Sequence, residues 1–293
     1  TMNHWLRAAA TAVLMLMLTA CAVPQRDDCA AATHIAHFPA KLDEASGLAV
    51  SRRDPAVIWV HNDSEGLAML YAIDRTGRLL AEIALPRAGA QFDWEDIAMG
   101  PCPAGDCLFI GDIGDNRHNR DDRAILRITE PRIADTHGII IDRYPIRYPD
   151  GAEDAEAVFV MPDSSVYIVT KGRRHPVTLY RYPAPLRAGE RVTLQRVQQL
   201  SDGIVQLPDL VTAADASADG RRIAIRTYSS LMLYRFDGDT LIATFTRAFD
   251  LTGLAEPQGE GVAFAGSDTL LLATEMGPFR AQPFLSRVRC PAR

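Results

Sequence analysis

The sequence predicts an all-β protein: a five-bladed β-propeller with four antiparallel strands per blade, the last blade closed by the N-terminal strand. Three observations predict it. A set of short apolar strands recurs with a period of about 40 to 50 residues, the spacing of propeller blades. Short Asp/Gly/Ser/Pro turns separate the strands, and no stretch carries helical periodicity. The fifth copy runs out of chain before its fourth strand, and a matching strand stands ahead of the first copy.

The first strand of each copy reads SGLAV (46–50), EDIAM (95–99), EAVFV (156–160), TAADA (212–216) and EGVAF (260–264). The second reads VIWVHND, CLFIGDI, VYIVTK, RIAIRTY and TLLLATE, and the third MLYAID, AILRIT, TLYRYP, LMLYRF and FLSRV. Fourth strands are expected at AEIAL (81–85), YPIRYP (144–149), VQQLSD (197–202) and TRAFDL (246–251). HIAHFPA (34–40) precedes the first copy as TRAFDL precedes the fifth, so it is expected to complete the last blade. Blades pack on both faces, which explains why the strands are evenly apolar rather than strictly alternating.

The N-terminus predicts a leader. Ala8 to Leu18 is apolar apart from Thr11, too short to span a bilayer as a helix, and Leu18-Thr19-Ala20-Cys21 resembles a bacterial lipobox. Residues 1–20 are therefore expected to be a signal peptide, Cys21 a lipidated residue, 22–28 a short tether and 29–293 a single propeller domain. An ordinary secretory signal is the alternative. Ala22 after the cysteine favours the outer membrane of a Gram-negative envelope.

Four further cysteines suit an oxidising compartment. Cys102 and Cys107 bracket PAGD and can close a hairpin, which leaves Cys29 with Cys290 at the two ends of the mature chain. That pair would replace the C–D turn cut by ring closure. A looser pairing, with Cys29 free or joined to Cys102 or Cys107, stays open.

The net charge of −6 is mildly acidic, and the only lysines are Lys41 and Lys171. No basic block suggests nucleic acid, and a monomer is expected. The motifs for Walker A, G-x-S-x-G, H-E-x-x-H and C-x-x-C are absent, so no nucleotide or organic cofactor is expected.

In a four-stranded blade the A–B and C–D turns share one face, and the B–C loops and D–A crossings share the other. The second set is chemically loaded, with HNDSEG, GDIGDNRHNRDDR, KGRRHP and EMGPFRAQP. Glu44, Asp93, Glu95, Asp154, Glu156 and Glu260 stand at or before the innermost strands and should ring the channel mouth. Asn62, Asp112, Thr170, Thr227 and Thr274 recur at the end of each second strand. Convergent carboxylates are costly without compensating cations, and an oxygen-rich set suits Ca²⁺.

The expected cation ligands are Glu44, Asp93, Glu95, Asp112, Asp115, Asn116, Glu156 and Glu260. Within GDIGDN the other reading is a turn whose Asp and Asn side chains bond their own backbone. Asn62, Asp63, Lys171, Arg173, Arg226 and Glu275 are expected to hold a polar or anionic ligand, since arginine grips carboxylate or phosphate bidentately. The alternative for the loop arginines is solvated charges that pair with Asp121 and Asp122. His61, His118 and His175 reach the loaded face, where one could act as a base. Trp59 and Trp94 read as blade packing.

EASGLAV, IWVHND, LYAIDRTGRLLAEIAL, DWEDIA and EGVAF together resemble the SdiA-regulated family of bacterial five-bladed propellers. More loosely, they are similar to the esterase-like phytase and strictosidine-synthase-like propellers. The resemblance implies the fold; GDIGDN and the Cys102–Cys107 hairpin depart from it. Three functions follow as expectations. The first is a lipid-anchored envelope propeller binding a divalent cation and a polar ligand or envelope partner at the mouth. The second is a Ca²⁺-dependent hydrolase of phosphoesters, lactones or sugars, with carboxylates about 5 to 10 Å apart favouring glycosides. The third is a structural interaction module. A tether of seven residues, Ala22 to Asp28, reaches at most about 25 Å, so the mouth should point away from the membrane.

Overall fold

The computed structural model describes residues 29–63, 68–86, 93–103, 105–117 and 119–291. The expected leader, Cys21 and the tether lie outside the described residues, as do 64–67 and His118. Five antiparallel sheets form the blades, named here by strands A to D from the axis outward. Blade 1 is Ala45–Val50, Val57–Asn62, Met69–Asp74 and Leu79–Ala84. Blade 2 is Trp94–Cys102, Gly105–Asp112, Ala124–Thr129 and Ile140–Arg147, with Val192–Thr193 added in parallel at its outer edge. Blade 3 is Ala155–Val160, Val166–Thr170, Thr178–Arg181 and Gln195–Gln199. Blade 4 is Val211–Ala216, Arg222–Thr227, Ser230–Asp237 and Thr240–Ala243. Blade 5 is Gln258–Phe264, Thr269–Glu275 and Phe284–Arg289, completed by Thr33–His37.

Each A strand touches the A strands of the blades on either side, and blade 5 returns to blade 1, so the ring closes. Between neighbouring blades lies one apolar cluster, five in all among the described residues. Successive side chains of one strand serve opposite clusters: Val57 and Trp59 pack toward blade 2, Ile58 and Val60 toward blade 5. Both faces are therefore dry, which accounts for the unbroken apolar runs.

Blade 4 departs from the expected outer strand at TRAFDL. Strand D is instead Thr240–Ala243, because Asp237 pairs with Thr240 across Gly238 (φ 64°) and Asp239. A two-residue hairpin turn forces the strand to resume at once. The chain returns at Phe249–Asp250 to pair with Ser230 and Leu231. In blade 3 the outer strand likewise starts two residues earlier than VQQLSD.

A second regularity concerns the axis. In every blade the A–B register slips near the start of strand A, leaving an extra residue on strand A. The slips fall at Ser46–Gly47, Glu95, Glu156, Thr212 and Glu260–Gly261. A β-bulge leaves its extra residue outside the ladder and re-aims the side chain. The next aligned position is Gly47, Asp96, Ala157, Ala213 and Gly261: one carboxylate among four residues with little or no side chain. Asp96 is fully buried and accepts backbone N–H bonds from Ile97 (2.9 Å), Val158 (3.0 Å) and Ala214 (3.0 Å). It pins blades 2, 3 and 4 together through the axis.

Two disulfides are present: Cys29–Cys290, with Cα atoms 4.1 Å apart, and Cys102–Cys107 across the A–B hairpin of blade 2. The first spans 261 residues of sequence and joins the strand that seals blade 5 to the strand it seals. Chain entropy assigns such a loop about 5 kcal/mol. Replacing Cys29 and Cys290 together by serine is expected to lower the unfolding free energy by a few kcal/mol, measured by urea titration. Reductant should lower the parent further than the double substitution does, and lower the variant by the smaller amount, about 2 kcal/mol, that the Cys102–Cys107 loop contributes.

Candidate functional site

The bulges, the strand-B ends and the B–C loops meet in a polar cavity of about 200 Å³ at the channel mouth. Blade 1 contributes Ser46 and Asp63, blade 2 Glu95 and Asn116, and blade 3 Glu156, Lys171 and Arg173. Tyr228 enters from blade 4, and Gln258, Glu260 and Glu275 from blade 5. Eight of the expected site residues are thus gathered there: Asp63, Glu95, Asn116, Glu156, Lys171, Arg173, Glu260 and Glu275. Ser46, Tyr228 and Gln258 were not foreseen. Ser46 stands in line with Glu95, Glu156 and Glu260 in the aligned first strands, so the repeat itself held the signal.

Among the described residues two groups of carboxylates could each hold a cation: Asp63, Asp93 and Glu95, and Glu95, Asp154 and Glu156. Within each group the oxygens lie within 4.8 Å of one another, and Glu95 belongs to both. Glu95 and Asp154 are buried, and Glu95 Oε1 and Asp154 Oδ2 have no hydrogen-bond partner. Asp63 Oδ1 is likewise buried and unpartnered. Orphaned buried oxygens cost free energy unless something else occupies them. Lys171, also buried, pairs with Glu156, and its backbone N–H is fixed on the Asp154 carbonyl at 2.9 Å.

The electrostatics follow from this crowding. Burial raises Asp63 to about 8, helped by Asp93, Glu156 and Glu275. Burial and the nearby Glu156 and Asp63 hold Glu95 well above the carboxylate range, and burial with Glu275 does the same for Glu260. Glu275 is pushed up to about 7 by burial, Glu44 and Glu156. Glu156 is raised by burial against the opposing pull of Lys171. Burial opposes the Lys171 charge, but Glu156 and Glu95 outweigh it, so the ammonium stays protonated.

GDIGDN now has a physical account. The Asp112 side chain accepts the Asp93 N–H (3.1 Å) and pairs with Arg120 (2.7 Å) and Arg143 (3.3 Å). Asp115 pairs with Arg123 and accepts N–H bonds from Asn119 (2.8 Å) and Arg120 (3.1 Å). Both carboxylates are therefore engaged in bracing the loop, unlike the free ligands expected. Asn116 reaches the cavity, where its Oδ1 takes Arg173 at 2.8 Å. Gly114 is the residue that serves the acids: a Cβ there would stand 2.0 Å from Glu95 Oε1 and 2.6 Å from the Asp93 carboxylate.

Other expected residues sit elsewhere. The recurring polar position at the end of strand B fastens the B–C loop: Thr170 accepts the Thr178 N–H (2.9 Å), Thr227 that of Ser230 (3.0 Å), and Thr274 that of Phe284 (2.9 Å). Asn62 donates to the Lys41 carbonyl at 2.8 Å. Arg226 is fully buried, paired with Glu256 and bonded to the carbonyls of Gly261 (2.9 Å) and Ala273 (3.0 Å), so it builds the wall instead of facing a ligand. Glu44 stands close enough to Glu275 to raise it. His61 is buried, and desolvation lowers it to about 4, too low for a base at neutral pH. His175 pairs with Glu153 at 3.0 Å on the surface. Trp59 and Trp94 pack between blades 1 and 2.

No family model matches this chain, and no curated protein matches it. Solved structures do. The PQQ-bound aldose sugar dehydrogenase of Streptomyces coelicolor is similar at 13% identity and a TM-score of 0.55, over 89% of this chain and 98% of that one. A glucose dehydrogenase aligns at 11% identity and a TM-score of 0.53, over 88% and 99%. A luciferin-regenerating enzyme aligns at 10% identity and a TM-score of 0.50, over 88% and 94%. At such identities the likeness is one of propeller fold alone.

Two measurements check the site. Gly114→Ala is expected to keep the fold by circular dichroism while displacing Asp93 and Glu95, weakening any cation binding at least tenfold. The second is the pH dependence of metal-free stability. Asp63 (about 8), Glu275 (about 7) and Asp215 (about 7, raised by burial) are raised in the folded state, so it holds their protons more tightly than the unfolded chain. Their contribution is full below about pH 4 and is lost as pH rises toward 8. Asp74, lowered to about 2 chiefly by the Thr76 hydroxyl, works in the opposite sense and only at acid pH. Unfolding free energy should therefore fall between about pH 5 and 8, and Asp215→Asn should flatten part of that slope.

Proposed function

We propose that this propeller binds one divalent cation, Ca²⁺ by the chemistry of its donors, at the channel mouth, and that the bound ion and Arg173 together hold a polar or anionic ligand. The carrying observation is the pair of acid groups sharing Glu95, with buried unpartnered oxygens on Glu95, Asp154 and Asp63. Hard oxygen donors in such number suit Ca²⁺, which takes six to eight oxygens at about 2.3–2.6 Å. A cation would favour the ionised form of Asp63 and Glu95, against the burial and the neighbouring carboxylates that raise both.

Asp63, Asp93, Glu95, Asp154 and Glu156 would hold the ion, with Lys171 fixing the orientation of Glu156. Arg173, exposed at the rim and steadied by Asn116, leaves guanidinium N–H groups for an anion. Tyr228 and Gln258 supply further hydrogen-bonding groups on the blade 4 and blade 5 sides.

A hydrolase acting through the same ion is the second reading. Glu275 favours it: this cavity carboxyl lies outside both acid groups and is pushed up to about 7, where it can exchange protons near neutral pH. Turnover of nitrophenyl esters, phosphoesters or glycosides, lost on chelation, would establish it.

Attachment to the cell envelope through Cys21 belongs to the same proposal, as does membership of the SdiA-regulated family. Its support is the LTAC motif and the position of Cys29. The Cys290 N–H bonds Asp268 of the blade 5 A–B turn at 2.7 Å, on the face opposite the acids. A short tether there would turn the mouth away from the membrane, toward a ligand or partner in the envelope.

Calcium is expected to raise the melting temperature of chelator-stripped protein, more at pH 8 than at pH 6, because raised carboxyls must release protons to bind it. Glu95→Gln combined with Glu156→Gln should abolish the increment. An equal increment in that variant would place the ion elsewhere.

A further inference from the structure

Beside the acidic cavity, and sharing Arg173, Tyr228 and Gln258 with it, lies a second groove of about 480 Å³. Its lining changes character: Leu207, Pro208, Leu251, Pro257 and Pro278 line it, with Glu256 as the single carboxylate among its lining residues. Leu207 is 71% exposed. The large apolar residues left exposed among the described residues include Ile204 and Phe279, which belong to the two loops that supply Leu207 and Pro278 to the groove. Exposed apolar surface concentrated beside a polar site marks a place where something binds.

A polar observation points the same way. Glu256 lines this groove with its side chain only 4% exposed; one oxygen pairs with Arg226, and the other, Oε1, is buried with no hydrogen-bond partner. The geometry is maintained by Gly259, where a Cβ would stand 2.2 Å from Arg226 Nη2 and 2.9 Å from Glu256 Oε2. A carboxylate oxygen held in place by a buried guanidinium can accept a bond from a ligand hydroxyl or N–H. The acidic cavity alone, at about 200 Å³, is smaller than the roughly 300–1,000 Å³ of small-molecule sites, and the adjoining groove supplies the missing space.

We infer that the two compartments form one bipartite site for a small amphiphile. Its anionic or oxygen-rich head lies in the acidic cavity on the cation and Arg173. Its apolar chain or ring runs along Leu207, Leu251 and Pro278, and a hydroxyl or N–H on that body donates to Glu256 Oε1. The inference deepens the proposed function and rests on it for the head group, while the groove stands on its own residues. Charge complementarity orients the ligand: the guanidinium of Arg173 is at the junction, so an anionic head cannot be placed in the groove with its tail among carboxylates without leaving both ends mismatched.

The test compares N-octanoylglycine with N-acetylglycine, which share a head and an amide and differ by six methylenes, by calorimetry on the calcium-loaded full chain. Complete burial would give roughly fourfold per methylene, and a half-open groove should still give the octanoyl compound at least about a tenfold advantage. Leu207→Ser, at an exposed position outside the acid groups, should cut that advantage at least threefold and leave calcium binding and N-acetylglycine binding unchanged. Equal affinity for the two compounds, or an octanoyl advantage indifferent to Leu207→Ser, would overturn the inference. If calcium fails to bind while the chain-length preference and its dependence on Leu207 persist, the groove stands and the cation reading falls.

Discussion

The molecule depends on one constraint: five inner strands that each carry a β-bulge at the same register, forced around a single axis by closure of the ring. A bulge in an isolated hairpin would only bend a strand. Repeated five times about one axis, it brings Ser46, Glu95, Glu156 and Glu260 to one cavity, while Thr212 bonds the Glu260 carbonyl. Residues more than 200 positions apart in sequence, such as Ser46 and Glu260, thereby line one cavity. The oxygen-rich mouth is a consequence of closure, and loss of closure would scatter it.

Concentrating acids in this way works against stability, and the rest of the fold offsets it. Five apolar clusters between blades, a disulfide across the seam and a buried aspartate bonded to three inner-strand amides hold the ring rigid. Side chains also stitch inner strands that share no ladder: Thr212 donates to the Glu260 carbonyl at 2.9 Å, and Asp215 accepts the Phe264 N–H at 2.8 Å. Within the mouth, Lys171 is the buried countercharge, fixed on Glu156. A scaffold this cross-braced can keep carboxylates crowded, with Glu95, Glu156 and Glu260 all raised chiefly by burial.

Much of this was legible in the sequence because the repeat is physical. The period, the missing outer strand of the last copy and the Cys29–Cys290 pairing all follow from where strands must begin and end. The aligned first strands carry the bulge residues in their first column, so Glu95, Glu156 and Glu260 are legible there, and Ser46 with them. What could not be read was which partner each polar side chain takes. Asp112 and Asp115 resemble ligands in one dimension; only the fold shows Arg120, Arg143 and Arg123 beside them. Arg226 looked like a ligand grip and proves to be a buried wall, and His61 is sealed under the mouth with a pKa too low for base chemistry. The blade 4 edge differs because the two-residue turn at Gly238 and Asp239 lets the chain pair again at once, and Phe249–Asp250 of TRAFDL then returns to strand C.

The central claim, that ring closure builds a cation site from the bulged carboxylates, is tested most directly by anomalous diffraction from crystals grown with calcium or a lanthanide substitute. The account requires a single strong peak inside the mouth cavity, coordinated by Glu95 with oxygens of Asp63, Asp93, Asp154 or Glu156. A mouth holding only ordered water, or an ion bound on the opposite face while the acids remain paired among themselves, would contradict it.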